Sequence, residues 1–427
     1  MNTELEALLA RMHHTDLNAI DLGLERVERF LALLGSPQKR LPPVVHVAGT
    51  NGKGSLIACL DAIFKAAGLK VHRYVSPHLV RFNERIQIAG EPITDAYLQE
   101  LLTRVAAFID HQPVTFFEST TAAAFLAFSE HPADVVLLET GMGGRLDATN
   151  VVEKPALTAI TPISRDHTQF LGDTPAAIAA EKAGIIKAGV TCVVGKQEKE
   201  ALEVIRHKAK EMNAPLYLYW KDWKPVLDGA SAKYRSGRLT MQFSPSLAGK
   251  HQYDNAATAI ACVEKLPQFN ITAEHIADGI AQARWPARLQ HLAWGPLAKI
   301  LHEGIELWLD GGHNPQGGEV LAQWFAGLGV PVYLVCGMMQ GKESAAFLKP
   351  MRPFVNTLYA VAIEGEAQSQ SPEQLLLAAQ EVGIRAEAAE SVEKALQTIA
   401  AHARTASIVC ICGSLYLAGK VLALNGE

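Results

Sequence analysis

Val44-Val45-His46-Val47-Ala48-Gly49-Thr50-Asn51-Gly52-Lys53-Gly54-Ser55 is the stretch on which the reading of this chain turns. An apolar run leads into glycines at 49, 52 and 54, a lysine and a hydroxyl, and then into the helix-like LIACLDAIFKAA. Strand, glycine-rich loop and helix in that order is the setting in which a loop cradles phosphates. The glycines permit a tight turn with inward-facing N–H groups, and the positive end of the helix completes an anion nest. Lys53 supplies a point charge for β- and γ-phosphates, and Ser55 offers a hydroxyl to Mg²⁺. The spacing departs from the standard loop, because Gly54 separates Lys53 from Ser55 and Gly49 lies only three residues before Gly52. Gly49, Thr50, Asn51, Gly52, Lys53, Gly54 and Ser55 are the expected contacts to a triphosphate.

Outward from this loop, short runs rich in Val, Ile, Leu, Tyr and Cys recur at 43–48, 71–76, 134–139, 156–163 and 190–195. A second series follows at 306–310, 331–337, 358–363 and 407–413. None alternates with polar residues, which is how strands buried on both faces of a parallel sheet read. Helical segments separate them, such as 55–67 before Gly68, and one that opens at Thr174 with Pro175 in its first turn. The pattern is α/β and doubly wound. Residues 221–243 differ: DG, SG and the alternating LTMQF predict a small antiparallel region. The first series stops near Trp285-Pro286-Ala287-Arg288, and a new one begins around residue 299, so two domains are expected, over 1–290 and 298–427.

Ligands of open α/β sheets bind beyond the carboxyl ends of the strands. Those ends carry Ser76, in SPHLVRFNERIQI; Glu139, in LLETGMGGRLDATN; and His167, after Asp166. A hydroxyl, a carboxylate and an imidazole are thus expected near the phosphate loop. Mg²⁺ takes one or two carboxylates together with phosphate oxygens and water, so a single Glu suffices. Each residue alone has an ordinary explanation, as a turn former, a helix cap or a structural histidine; together they point to metal.

Composition narrows the class. The 427 residues carry 39 Lys and Arg against 44 Asp and Glu, a net charge of −5, which excludes a generally basic nucleic-acid binder. Apolar residues make up 49% and charged residues 19%, which excludes a disordered chain. The longest apolar stretches, such as 122–128, fall far short of a membrane span, and the N-terminal MNTELEALLARMHHTDL has no secretory core. Cys59, Cys192, Cys262, Cys336, Cys410 and Cys412 lie in apolar runs and read as reduced core residues of a cytoplasmic protein.

Several motifs resemble one family. GTNGKGS, SPHLVRFNERI, LLETGMGGRLDATNVV, DHTQFLG, EKAGIIK, WPARLQ and LDGGHNP follow one another as in folylpolyglutamate synthase/dihydrofolate synthase, of the Mur ligase superfamily. The likeness runs from about Asp21 to Gly413. It implies an N-terminal P-loop, Mur ligase central-type domain with a mostly parallel sheet, and a smaller Rossmann-like C-terminal α/β domain. It also implies a reaction: ATP phosphorylates a carboxylate, and L-glutamate attacks the acyl phosphate to form an amide. The acceptor is dihydropteroate in one activity and the glutamate tail of a reduced folate in the other.

By the same resemblance Ser76, Glu139 and His167 match Mg²⁺ ligands, two ions are expected, and a monovalent cation is a further candidate. Lys182 matches a lysine that is carbamylated in the family. Asn255, Arg288 and Asp310 match residues that hold ATP, and His313 in the HNP turn matches a motif residue with a catalytic role. Asp21-Leu22-Gly23, Phe117-Glu118 and Leu146-Asp147-Ala148 match the pterin side, where Phe116 and Phe117 stack on the ring or serve the core. The likeness implies a monomer without nucleic-acid or membrane partners. The alternatives are a folylpolyglutamate synthase alone or another amino-acid ligase of the superfamily; a phosphate loop beginning at residue 49 leaves no room for the UDP-sugar domain of the cell-wall branch. Gly311-Gly312 and Gln169 depart from the family's usual residues.

Overall fold

The computed structural model describes residues 3–14, 23–109, 112–403 and 405–426. Its contacts divide into two compact units. The first comprises Met1–Ile163, Leu171–Ser246 and Tyr253–Arg284; the second comprises Ser164–Phe170, Leu247–Gln252 and Trp285–Glu427.

The first unit is built on β1 (Val44–Ala48), β2 (Val71–Tyr74), β3 (Ile86–Ile88), β4 (Glu91–Pro92), β5 (Val135–Glu139), β6 (Leu157–Ile160), β7 (Cys192–Val194) and β8 (Leu216–Leu218), in the order β4-β3-β2-β5-β1-β6-β7-β8. β1 lies between β5 and β6 and is parallel to both. Every residue of β1 and β5 is buried, which accounts for their unbroken apolar character. Only the β2–β3 and β3–β4 pairings are antiparallel, extending the sheet beyond β2. The predicted antiparallel region is a meander of β9 (Trp223–Asp228), β10 (Ser231–Ser236) and β11 (Thr240–Phe243).

The second unit carries β12 (Gln290–His291), β13 (Ile305–Leu309), β14 (Val332–Cys336), β15 (Val355–Ala360), β16 (Ala386–Ala388) and β17 (Ser407–Cys412), in the order β12-β13-β17-β14-β15-β16. All pairs are parallel except β12 with β13. Cys336 and Cys412 face each other across β14 and β17, and the six cysteines are buried and free. No described helix is long and apolar enough to cross a membrane.

Candidate active site

β1 delivers its chain into the loop at Gly49. Gly49 has φ +151°, and a Cβ there would collide with Thr161 Oγ1. Gly52 has φ +88°, and a Cβ there would stand 2.6 Å from Asn255 Oδ1. Both positions therefore require glycine, for backbone conformation and for the close approach of a neighbour. The second contact also brings Asn255 against the loop.

Gly52 begins the helix Lys53–Ala66 without any side-chain cap. The first amides of a helix have no acceptor within it, so those of Lys53, Gly54 and Ser55 supply donors and a positive dipole end. The amides of Thr50 and Asn51 do not join them. They donate to the carbonyl of Pro162 at 3.0 and 3.2 Å, tethering the loop to the chain beyond β6. Two of the loop's amides are thus engaged within the protein.

Lys53 Nζ stands 3.7 Å from Glu139 Oε1 and 3.5 Å from the Thr50 carbonyl. Glu139 ends β5 and is paired in register with Val47. Ser76 lies just beyond β2, whose Tyr74 pairs with Leu138. Ser76 and Glu139 thus emerge from the carboxyl ends of adjacent parallel strands, and Ser55 is buried on the helix that follows β1. Hydroxyl and carboxylate oxygens form a hard donor set suited to Mg²⁺. Among the described residues no group of three His, Cys, Asp or Glu side chains forms a metal cage; Mg²⁺ bound through substrate phosphates needs none.

Lys182 is buried, and its Nζ donates to the Gly49 carbonyl at 2.9 Å. It rides on the helix Pro175–Ala183, capped by the Thr174 hydroxyl on the amide of Ala177. The loop after β5 braces that helix: the Arg145 amide donates to the Glu181 carbonyl at 2.7 Å, and Asn150 Nδ2 donates to the carbonyls of Arg145 and Gly184.

The expected pterin-side residues divide. Asp21 and Leu22 lie outside the described residues. Gly23 precedes the helix Leu24–Leu33 in an extended conformation. Phe117 is part-buried, its ring pressed on Gly141 so closely that a Cβ there would collide with it. Phe116 meets Phe82 edge-on at 6.0 Å, and the Arg85 guanidinium lies 5.1 Å from the Phe82 ring and 5.9 Å from the Phe116 ring. Glu118 is occupied locally: it accepts from Arg26 Nε at 3.0 Å and from the Thr115 amide at 2.7 Å. Asp147 is likewise engaged, by the amides of Met142 and Thr149 and the Thr149 hydroxyl. Burial pushes its carboxyl above the ordinary value, against the pull of those donors. Both carboxylates are thus occupied by neighbouring donors. Leu146 is half-buried and Ala148 is buried beside Asp147.

In the second unit, Asp310 follows β13 and accepts from the amides of Leu289 and Gly312 at 2.9 and 2.7 Å. Its carboxyl is pushed up by burial, with the Arg288 charge opposing. Ala287 and Leu289, on either side of Arg288, have φ +57° and +45°. Two left-handed non-glycine residues in succession around one arginine mark a strained turn of the kind found at binding sites. His251 feels the same arginine: burial, then the Arg288 charge, lowers its imidazole to about 4.

His313 is held at both ring nitrogens, by the Gly311 carbonyl at 2.9 Å and by Asp166 at 3.3 Å. Asp166 also accepts from Lys342 Nζ at 2.6 Å, from Asn314 Nδ2 at 3.2 Å and from the His167 amide at 2.9 Å. His167 itself has φ +51°. Burial opposes ionisation of Asp166, but the hydrogen bond and charge of His313, with His167 and Lys342, carry it well below the usual carboxylate range. Sequence reasoning passed over Asp166 and Lys342. Asp166 stood beside a chosen histidine, while nothing in the local pattern around Lys342 set it apart from a surface lysine.

The Mur ligase middle domain model matches residues 47–263, and the model for the dihydrofolate synthetase C-terminal domain matches 294–424. The dihydrofolate synthase/folylpolyglutamate synthase of Bacillus subtilis is 35% identical over 423 residues, covering 93% of this chain and 94% of that one. A structure of Escherichia coli FolC with DHPP and ADP superposes with a TM-score of 0.89 at 32% identity, over 99% of this chain and 98% of that one. A Yersinia pestis bifunctional folylpolyglutamate synthase/dihydrofolate synthase with AMPPNP and Mn superposes with a TM-score of 0.88 at 32% identity, over 100% and 99%.

Proposed function

The chain belongs to the dihydrofolate synthase/folylpolyglutamate synthase family of Mur-type, ATP-dependent ligases, and from that premise we propose that it joins L-glutamate to dihydropteroate and to the glutamate tail of reduced folates. The observation that carries the proposal is the grouping of the uncapped helix at Gly52 with Lys53, Glu139 and Lys182 around one glycine loop.

The chemistry follows from those residues. The helix N-terminus and Lys53 bind the triphosphate and orient its terminal phosphoryl group towards an acceptor carboxylate. Transfer makes the carboxylate an acyl phosphate; the glutamate amine attacks that carbonyl, and expulsion of phosphate leaves an amide. Ser55, Ser76, Glu139 and His167 are the proposed ligands of two Mg²⁺ ions, which supply charge neutralisation on the phosphates when bound; a monovalent cation is a further proposed component. Asn255, Arg288 and Asp310 are assigned to the nucleotide, and His313 to the reacting end. Lys182 as a carbamate would present an anion where the amine now meets Gly49. Residues 1–290 are proposed as the nucleotide-binding domain and 298–427 as the C-terminal domain of a cytoplasmic monomer. Gly23, Phe117, Glu118, Leu146, Asp147 and Ala148 are assigned to the pterin side.

The test is phosphate release by purified protein with ATP, Mg²⁺ and L-glutamate on adding dihydropteroate or tetrahydrofolate. Release with both is expected. Release with neither contradicts the proposal, and release with tetrahydrofolate alone reduces it to the single activity.

A further inference from the structure

We propose that Asp166 is a positioning residue that locks the metal ligand His167 to the His313 turn, so that the two histidines are placed as one body. The proposal rests on the ligase reading above.

Asp166 gathers separate parts of the second unit onto one nearly buried carboxylate. Oδ1 accepts from Lys342 and from the amide of His167; Oδ2 accepts from His313 and Asn314. His313 and Lys342 lie 147 and 176 residues along the chain from it. The turn that it grips is stiff in its own right. Asn314 caps the helix Pro315–Phe325 through the amide of Gly317, and the Gly311 carbonyl holds the other nitrogen of His313.

A second observation comes from the backbone. His167 adopts the left-handed conformation, uncommon for a non-glycine residue, and persists there only if its surroundings fix it. The hydrogen bond from its amide to Asp166 provides that restraint one residue away. The exposed ion pair Arg165–Glu343, at 3.4 Å, joins the same two stretches of chain but is half open to water and adds little.

The consequence is that His313, not a metal ligand, influences metal affinity through Asp166. Mn²⁺ binding in the presence of AMPPNP, read by electron paramagnetic resonance, tests this on the full-length protein. Asp166→Asn and His313→Gln are each expected to weaken Mn²⁺ roughly tenfold, the scale of loss for groups that orient a ligand. The double variant is expected to be no weaker than the worse single one, because both changes break one link. Glu343→Gln is expected to leave affinity unchanged. Additive losses, or wild-type affinity in Asp166→Asn or His313→Gln, overturn the proposal. If Asp166→Asn is insoluble, Asp166→Glu, which displaces the charge by one methylene, runs the same cycle with the same expectations. Wild-type turnover tests the ligase reading separately, before any variant is compared.

Discussion

The side-chain nitrogen of Lys182 donates to the carbonyl oxygen of Gly49 at 2.9 Å, across a sequence separation of 133. That contact supports the proposal that Lys182 acts on what the loop binds. Lys182→Ala is expected to lower kcat roughly 10²-fold, the scale for removal of one charge-stabilising group, while leaving the fold intact. Short carboxylic acids are expected to restore part of the rate by replacing the carbamate anion. A fully active Lys182→Ala variant contradicts the assignment.

Gly52→Ala separates backbone strain from ligand binding. Strain at a left-handed position costs about 1 kcal/mol or more, and the new methyl also meets Asn255 Oδ1 at 2.6 Å. KM for ATP is expected to rise several-fold together with a lowered urea midpoint. Gly68→Ala is the control: φ is +77° there, but nothing lies within 4 Å of the added carbon. It is expected to lower the midpoint and leave KM alone. Equal KM values in the two variants contradict the placement of Asn255.

Much of this was legible in the chain itself. The strands were visible because burial on both faces leaves unbroken apolar runs, and the loop at Gly49 because glycine, lysine and hydroxyl fall between strand and helix. β3, β4, β8, β12 and β16 were not, being only two or three residues long. Local pattern also gave no sign that Ser164–Phe170 and Leu247–Gln252 pack with the second unit. Nor did it reveal that Thr50 and Asn51 donate to Pro162, or that Glu118 and Asp147 are filled by neighbouring donors. These depend on contacts between distant segments, which no periodicity encodes.

Stability is expected to fall in mild acid. Burial, with a lesser push from the Lys187 charge, lowers the His46 imidazole from 6.5 to about 3. Its Nε2 meets the Thr149 hydroxyl at 2.8 Å, while Nδ1 is buried without a partner. Between those pH values the unfolded chain binds a proton that the folded chain refuses. The stabilisation is therefore complete above pH 6.5 and is lost as pH falls towards 3, by about 1.4 kcal/mol per unit. His78, lowered to about 4 by burial and then Arg85, adds in the same direction. Urea midpoints at pH 7, 6 and 5 check this: wild type is expected to weaken faster than His46→Gln. Parallel slopes contradict it.

In the proposed reaction a substrate carboxylate receives the terminal phosphoryl group of ATP and then surrenders one of its own oxygens. Dihydropteroate labelled with ¹⁸O in its carboxylate, turned over with ATP, Mg²⁺ and L-glutamate, reads this directly by mass analysis of the released phosphate. One ¹⁸O atom transferred to each inorganic phosphate is the predicted result; unlabelled phosphate, or label recovered in AMP, would contradict the account.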